Sequence, residues 1–265
     1  MKYAVALLCA LIVVPAQAAL DWETALQGPQ RSAENKARDD FRHPRETLEF
    51  FGLEEGMTVV ELSPGGGWYT EVLAPLVVGN GKLYAAHLDP NGGAYARNSL
   101  GGYLQKLAAD HELYGPVVVT RLQPPEETAI APAGSADLVL AFRNVHSWLG
   151  QNALKETLEA AHRALKPGGV LGVVQHRASA DAATDPETMG RTGYVSEDYL
   201  VEVATEAGFE LAASSDINAN PRDTADHPGG VWALPPVLRG GDQNREAMLA
   251  IGESDRMTLK FVKAE

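Results

Sequence analysis

The run Met57-Thr58-Val59-Val60-Glu61-Leu62-Ser63-Pro64-Gly65-Gly66-Gly67 decides how the rest of the chain is read. Its first half is a short, nearly continuous apolar stretch, the pattern of a parallel strand covered on both faces. Its second half is a turn with three glycines, which let the backbone bend tightly and let a ligand approach it closely. A helix is expected from Trp68 to about Leu76. The free N–H groups at its start favour an anionic group such as a carboxylate. Glu61 offers the opposite charge, so the strand end and the helix start together suit an amino acid zwitterion. The same turn also reads as a plain strand-to-helix junction, because a glycine-rich turn alone is a weak signal.

Outward from this run the chain alternates. Strands are expected at 82–86, 116–120, 136–142, 170–174, 210–214 and 257–263. Helices are expected at 98–112, 152–165 and 196–207, the last opened by a capping-box-like Ser196. Lys166-Pro167-Gly168-Gly169 reads as a turn into strand five, and residues 19–51 read as a polar helical segment stopped by Gly52. This pattern is that of an α/β protein with an open, Rossmann-like doubly wound sheet, flanked by helices. Ligands in such sheets sit at the carboxyl ends of the strands.

Strand two delivers His87 and Asp89 there. Either can accept a bond from a ribose hydroxyl, with Asp89 slightly preferred, while Asp89-Pro90 also reads as a simple turn. Strand four delivers Arg143, Asn144 and His146, and strand five delivers Gln175, His176 and Arg177. Convergent polar groups in a crevice mark a site. His146 is the first candidate for a general base and His176 the second, and Arg143 is a candidate grip on an acceptor. The two histidines lack the spacing of a known metal motif, so no metal site is assigned. Residues 216–256 are rich in turn residues but carry Val231, Trp232 and Leu234. They read as an acceptor-site insert with Trp232 as a contact, or as a loop docked on the sheet edge.

Composition narrows the partners. The chain has 265 residues, 22 basic and 35 acidic, for a formal charge of −13. A nucleic-acid groove wants a basic face, so no nucleic-acid partner is expected. The one cysteine excludes a disulfide framework. Lys2, the apolar run Tyr3–Val14, Pro15 and Ala16-Gln17-Ala18 read as a signal peptide over 1–18, cleaved after Ala18. The run is too short to span a bilayer, which needs about 20 residues. A periplasmic or secreted single domain over 19–265, without a stable membrane anchor, is the expectation.

Several strings together carry a resemblance. Glu61–Gly67, Gly81–Ala86, Ser135–Leu140 and Leu165–Leu171 resemble, in order, the motifs of class I S-adenosylmethionine-dependent methyltransferases. Pro64–Glu71, Phe142–Trp148, Asp216–Pro221 and Gly252–Val262 are similar to a bacterial group of predicted, often exported methyltransferases. The resemblance covers about residues 40 to 265 and implies a seven-stranded sheet in the order 3-2-1-4-5-7-6, with the last strand antiparallel. It implies S-adenosylmethionine as cofactor, with contacts at Glu61, Gly65 and Gly67 and Asn144 near the methionine end; Ser63 and Gly66 of the same turn are read as cofactor-binding with them. The expected partner is a small-molecule acceptor. Departures from the family pattern are Ser63-Pro64 in place of its first glycine and His87 at the usual ribose acid. The acid expected after strand three falls near Pro124-Pro125-Glu126-Glu127, with no single position assigned to the adenine contact and Glu126 as its candidate. Two other readings remain open. One is an exported binding protein without transfer, since the periplasm has no obvious supply of this cofactor. The other is a nicotinamide-dependent oxidoreductase, disfavoured by Thr70 at the third glycine place of its fingerprint.

Overall fold

The computed structural model describes residues 20–182 and 184–264. The expected signal segment, residues 1–18, lies outside the described residues.

The decisive run forms β1 (Thr58–Leu62). Successive side chains point to opposite faces of a strand. Val59 therefore enters one buried cluster and Val60 the other, both fully buried. The other strands are β2 (Lys82–His87), β3 (Val118–Arg121), β4 (Ala136–Phe142), β5 (Leu165–His176), β6 (Phe209–Ser215) and β7 (Arg256–Lys263). They form one seven-stranded sheet in the order β3-β2-β1-β4-β5-β7-β6. Neighbours are parallel except β7, which runs antiparallel to both β5 and β6. This is the doubly wound sheet expected from the alternation and from the resemblance.

Four short helices fill the N-terminal segment: α1 (Trp22–Gln27), α2 (Ala33–Lys36), α3 (Asp39–Arg42) and α4 (Pro44–Phe51). Gly52 ends α4 in the left-handed region, as expected of a C-cap. α5 (Thr70–Val77) follows the glycine turn, and α6 (Ala94–Ala109) and α7 (His111–Tyr114) join β2 to β3. α8 (Val145–Gly150) and α9 (Leu154–Ala164) lead to β5, while α10 (Pro186–Thr192) and α11 (Glu197–Glu206) lead to β6. α12 (Arg245–Ile251) precedes β7. No helix among the described residues is long and apolar enough to cross a membrane.

One face of the sheet packs on α9 and α11, with Leu158, Ala161, Leu200 and Ala204 in the same cluster as Val60, Val139 and Leu171. The other face packs on α4 and α5, with Leu48, Phe51, Val72 and Leu73 beside Val59, Leu83 and Leu140. Gly172 in β5 is the seat for Phe51, since a Cβ there would stand 2.6 Å from the ring. Burial of that ring contributes about 1.5–3 kcal/mol.

Some expected bounds differ. Lys166–Gly169 is not a separate turn but the start of β5, where the pairing with β4 shifts register between Ala136 and Leu138 and Gly168 takes φ +71. The helix expected from Asn98 starts at Ala94, and it stops at Ala109 because the Asp110 side chain accepts from Leu113 N at 3.0 Å and opens α7. Only Ala96 and Tyr103 of α6 are buried, which leaves little periodicity to read. α10 and α12 were hidden among turn residues. The cap at Ser196 forms, its Oγ accepting from Tyr199 N at 3.4 Å.

Candidate active site

Beyond Leu62 the chain turns through left-handed conformations at Ser63 (φ 48), Gly65 (φ 58) and Gly67 (φ 79). Two side chains from neighbouring strands pin this turn. Asn144 Nδ2 donates to Leu62 O at 3.3 Å, Ser63 O at 3.0 Å and Phe142 O at 3.2 Å. Leu88 N donates to His87 Nδ1 at 2.8 Å, so the proton sits on Nε2, which donates to Gly65 O at 3.1 Å. Burial lowers the His87 pKa and keeps the ring neutral. With both nitrogens engaged, His87 braces the turn and is not the ribose acceptor expected of it.

The three glycines have different tasks. A Cβ on Gly65 or Gly66 would meet nothing within 4 Å, and both residues line a cleft. A Cβ on Gly67 would stand 3.0 Å from Tyr103 Cε2 and 3.1 Å from Lys106 Cδ. Gly67 is therefore a contact point for α6 and lies off the cleft, which corrects its expected cofactor contact. Glu61 is corrected too. It is buried beneath the turn and its Oε2 accepts from Thr70 Oγ1 at 2.6 Å. Desolvation pushes its pKa up to about 7, and it does not line the cleft. Asp89 is turned towards β3, accepting from Arg121 Nη1 at 2.8 Å and Asn91 N at 2.6 Å. Arg121 pairs with Glu127 at 3.0 Å as well. Asp89 and the exposed Glu126 therefore also lie off the cleft.

The cleft, about 680 Å³, runs over the carboxyl ends of β1, β4 and β5. It gathers Ser63, Gly65, Gly66, Arg143, Asn144, His146, His176 and Trp232 from the expected set. A smaller hollow of about 90 Å³ continues it towards β2. The two share Ser63, Gly65, Tyr95, Asn144 and Ser147, and the smaller adds His87, Leu88, Ser99, Trp148 and Gln151.

Both histidines face this cleft as neutral rings. Their centroids are 5.5 Å apart, and the Trp232 ring meets His146 edge-on at 5.6 Å. Burial pushes His146 down to about 4, and burial together with His146 and the nearby arginines holds His176 well below its ordinary value. Gln175 Nε2 donates to Gly193 O at 2.9 Å and lies 3.2 Å from His146 Nδ1. An amide nitrogen only donates, so His146 carries its proton on Nε2. This ring offers the cleft a donor, not the lone pair expected of a base. His176 Nδ1 lies 2.5 Å from Ser254 Oγ, a hydroxyl that can accept as well as donate.

The N-terminal segment supplies a wall that the sequence reading did not assign. Arg38 and Arg42 line the cleft with Glu253 and Ser254. Their spacing of four puts them on one helical face, where like charges repel unless an anion stands near. That spacing was the available signal. Tyr95, Ser99 and Gln151 carried no signal at all, since only the fold brings α6 and α8 to the strand ends.

Residues 36–214 match the family described as a methyltransferase domain. The chain belongs to the methyltransferase-domain family. No curated protein sequence matches it. Among solved structures it resembles a SAM dependent methyltransferase from Aquifex aeolicus, at 18% identity and TM-score 0.57, covering 86% of this chain and 93% of that one. It is also similar to the [4+2]-cyclase SpnF, at 16% identity and TM-score 0.55, covering 84% and 80%. A third is an N-methyltransferase 2 from Haemonchus contortus in complex with phosphomonomethylethanolamine and S-adenosylhomocysteine, at 14% identity and TM-score 0.55, covering 93% and 61%. At such identities the likeness is one of fold. S-adenosylmethionine, the cofactor expected from the sequence, agrees with the family and with the descriptions of the first and third structures.

Proposed function

We propose that the protein is an exported S-adenosylmethionine-dependent methyltransferase acting on a small-molecule acceptor. The observation that carries this reading is the turn after β1. Its bare Gly65 and Gly66 line a cleft that continues to both sides, one side towards β2 and the other towards β5. The residues present fit the cofactor. Ser63 Oγ is buried without a hydrogen-bond partner, on the floor shared by both hollows. Ser63, Gly65, Gly66 and Asn144 would hold the amino acid end. Leu88, Tyr95, Ser99 and Gln151 would hold the nucleoside end, with the serine and glutamine taking the polar role that Asp89 and His87 do not fill. Export rests on the sequence pattern of residues 1–18.

Bound there, S-adenosylmethionine supplies a methyl group on a sulfonium, a donor that needs chiefly an aligned nucleophile and the exclusion of water. Trp232 and Arg143 shape the space beside the turn where the acceptor would lie. His146, with its proton on Nε2, would donate a hydrogen bond that positions the acceptor. His176, with Nδ1–H given to Ser254 Oγ, would keep an Nε2 lone pair that accepts a hydrogen bond from the acceptor, while its lowered pKa leaves it a weak base.

Thermal unfolding with S-adenosylmethionine, S-adenosylhomocysteine and NAD(H) tests the cofactor. Stabilisation by the first two and none by the third is expected, since a ligand that binds only the folded state raises its stability. Transfer of labelled methyl into small-molecule extracts tests the activity. No stabilisation by either adenosyl compound would end this reading, and binding without transfer would leave a binding protein.

A further inference from the structure

Four arginines surround one carboxylate at the β5 end of the cleft. Glu253 is 4% exposed. It accepts from Arg38 Nε at 2.6 Å, from Arg42 Nε at 3.2 Å and from Arg256 Nη1 at 3.2 Å. Arg256 is fully engaged, because it also donates to Ser254 O and Phe41 O. The others are not. Arg42 is 1% exposed, yet its Nη1 and Nη2 are buried without a hydrogen-bond partner, as is Arg38 Nη2. Arg143 lines the same cleft, and its guanidinium makes no hydrogen bond or ion pair with any described residue.

Among the described residues, Glu253 is the one carboxylate hydrogen-bonded to these arginines. The next carboxylate, Asp255, accepts from Asn220 N at 2.7 Å and faces Arg177 at 3.4 Å. The tyrosine against the cluster is Tyr69, whose hydroxyl donates to Arg42 O at 3.5 Å. The histidines beside it are neutral. So four cations surround one hydrogen-bonded anion, with Asp255 acting on Arg256 from further off, in a protein whose net charge is −13. A buried guanidinium with idle donors costs several kcal/mol. Its planar fork matches a carboxylate or a phosphate. The Trp68 ring under Arg42, 4.5 Å from its Cζ, holds that fork in place.

We infer that the acceptor carries an oxyanion, a carboxylate or a phosphate ester, held by Arg42, Arg38 and Arg143. This rests on the methyltransferase reading of the same cleft. The cofactor's own carboxylate is the other source of the same chemistry. All three arginines line the larger hollow, as do the turn residues that would hold the cofactor's amino acid end, so the two sources are told apart by whether an anion still binds once the cofactor site is filled.

Calorimetry on the full chain separates the cases. The chain is first titrated with S-adenosylhomocysteine and 5′-methylthioadenosine, which lacks the amino acid end. The S-adenosylhomocysteine-saturated protein is then titrated with inorganic phosphate, benzoate and neutral benzamide. The expected result is binding of phosphate or benzoate but not benzamide. Whichever of the two binds names the anion. Arg143→Gln, which breaks no hydrogen bond or ion pair with the described residues, weakens that binding at least tenfold and changes S-adenosylhomocysteine affinity less than twofold. Arg42→Gln does the same if it folds. Absence of anion binding to the saturated wild type overturns the inference. So does an Arg143→Gln chain that loses S-adenosylhomocysteine tenfold but keeps 5′-methylthioadenosine, because the arginine then holds the cofactor. Anion binding without any S-adenosylhomocysteine binding keeps the oxyanion site and removes the methyltransferase reading.

Discussion

The glycine turn supports a sharp comparison between adjacent residues. Gly66 lies outside the left-handed region, and a Cβ there meets nothing within 4 Å. Gly66→Val therefore adds a branched side chain to the cleft without straining the fold. Its stability should stay within about 1 kcal/mol of wild type, the size of the chain-entropy effect of replacing a glycine. Its S-adenosylhomocysteine affinity should fall at least tenfold, a loss of about 1.4 kcal/mol. Gly67→Ala should do the reverse. At φ +79 an alanine costs about 1–2 kcal/mol. Pushing Tyr103 and Lys106 aside adds about 1–3 kcal/mol of overpacking. The total of about 2–5 kcal/mol lowers the midpoint by roughly 4–20 °C for a domain of this size. Ligand affinity of the folded fraction should stay within threefold, because Gly67 faces α6. Thermal unfolding and calorimetry on both variants give the answer. Wild-type affinity in Gly66→Val, or a stable Gly67→Ala that no longer binds, would refute the assignment of one glycine to the ligand and the other to packing.

Two further outcomes follow from the charges. Glu253→Ala leaves the buried guanidiniums without their counter-ion and should cost about 3–5 kcal/mol, read by urea unfolding at neutral pH; a change below 1 kcal/mol would show that the arginines are not dependent on it. His146, held at about 4 against an ordinary 6.5, binds its proton more readily when unfolded. Its contribution is therefore whole above pH 6.5 and lost as pH falls towards 4, by about 3 kcal/mol at most. Glu61, raised to about 7, acts in the opposite sense over the pH range from 4.5 to 7, so the readout is the difference between wild type and His146→Gln. The variant should lose less stability between pH 7 and pH 5, and an equal loss in both would contradict a neutral, buried His146.

Much of the candidate site was legible in the primary structure. Val59, Val60 and Leu62 announce a covered strand, and Gly65 and Gly66 keep side chains away from the place where a ligand approaches. Asn144, His146 and His176 meet in one cleft because strand ends converge in this topology, and Trp232 joins them from the turn-rich insert whose apolar residues marked it. What failed was orientation. Glu61 and Asp89 have the right chemistry at the right strand ends, but Thr70 engages one and Arg121 the other. His87 sits at the ribose position and braces the turn instead. His146 reads differently for a similar reason, because Gln175 fixes its proton on the nitrogen that would have had to accept.

The alternation of apolar runs and turns, a matter of local periodicity, was enough by itself to predict an open doubly wound sheet, while its strand order came from the family resemblance. The arginine cluster was beyond its reach. Arg38 and Arg42 lie more than 200 positions from Glu253, and Arg143 stands between them in the chain. Which charges meet, which donors stay unpaired and which nitrogen keeps its proton are set by contacts between distant segments. Hydrophobic spacing carries no record of those contacts, and only the closed tertiary structure brings them together.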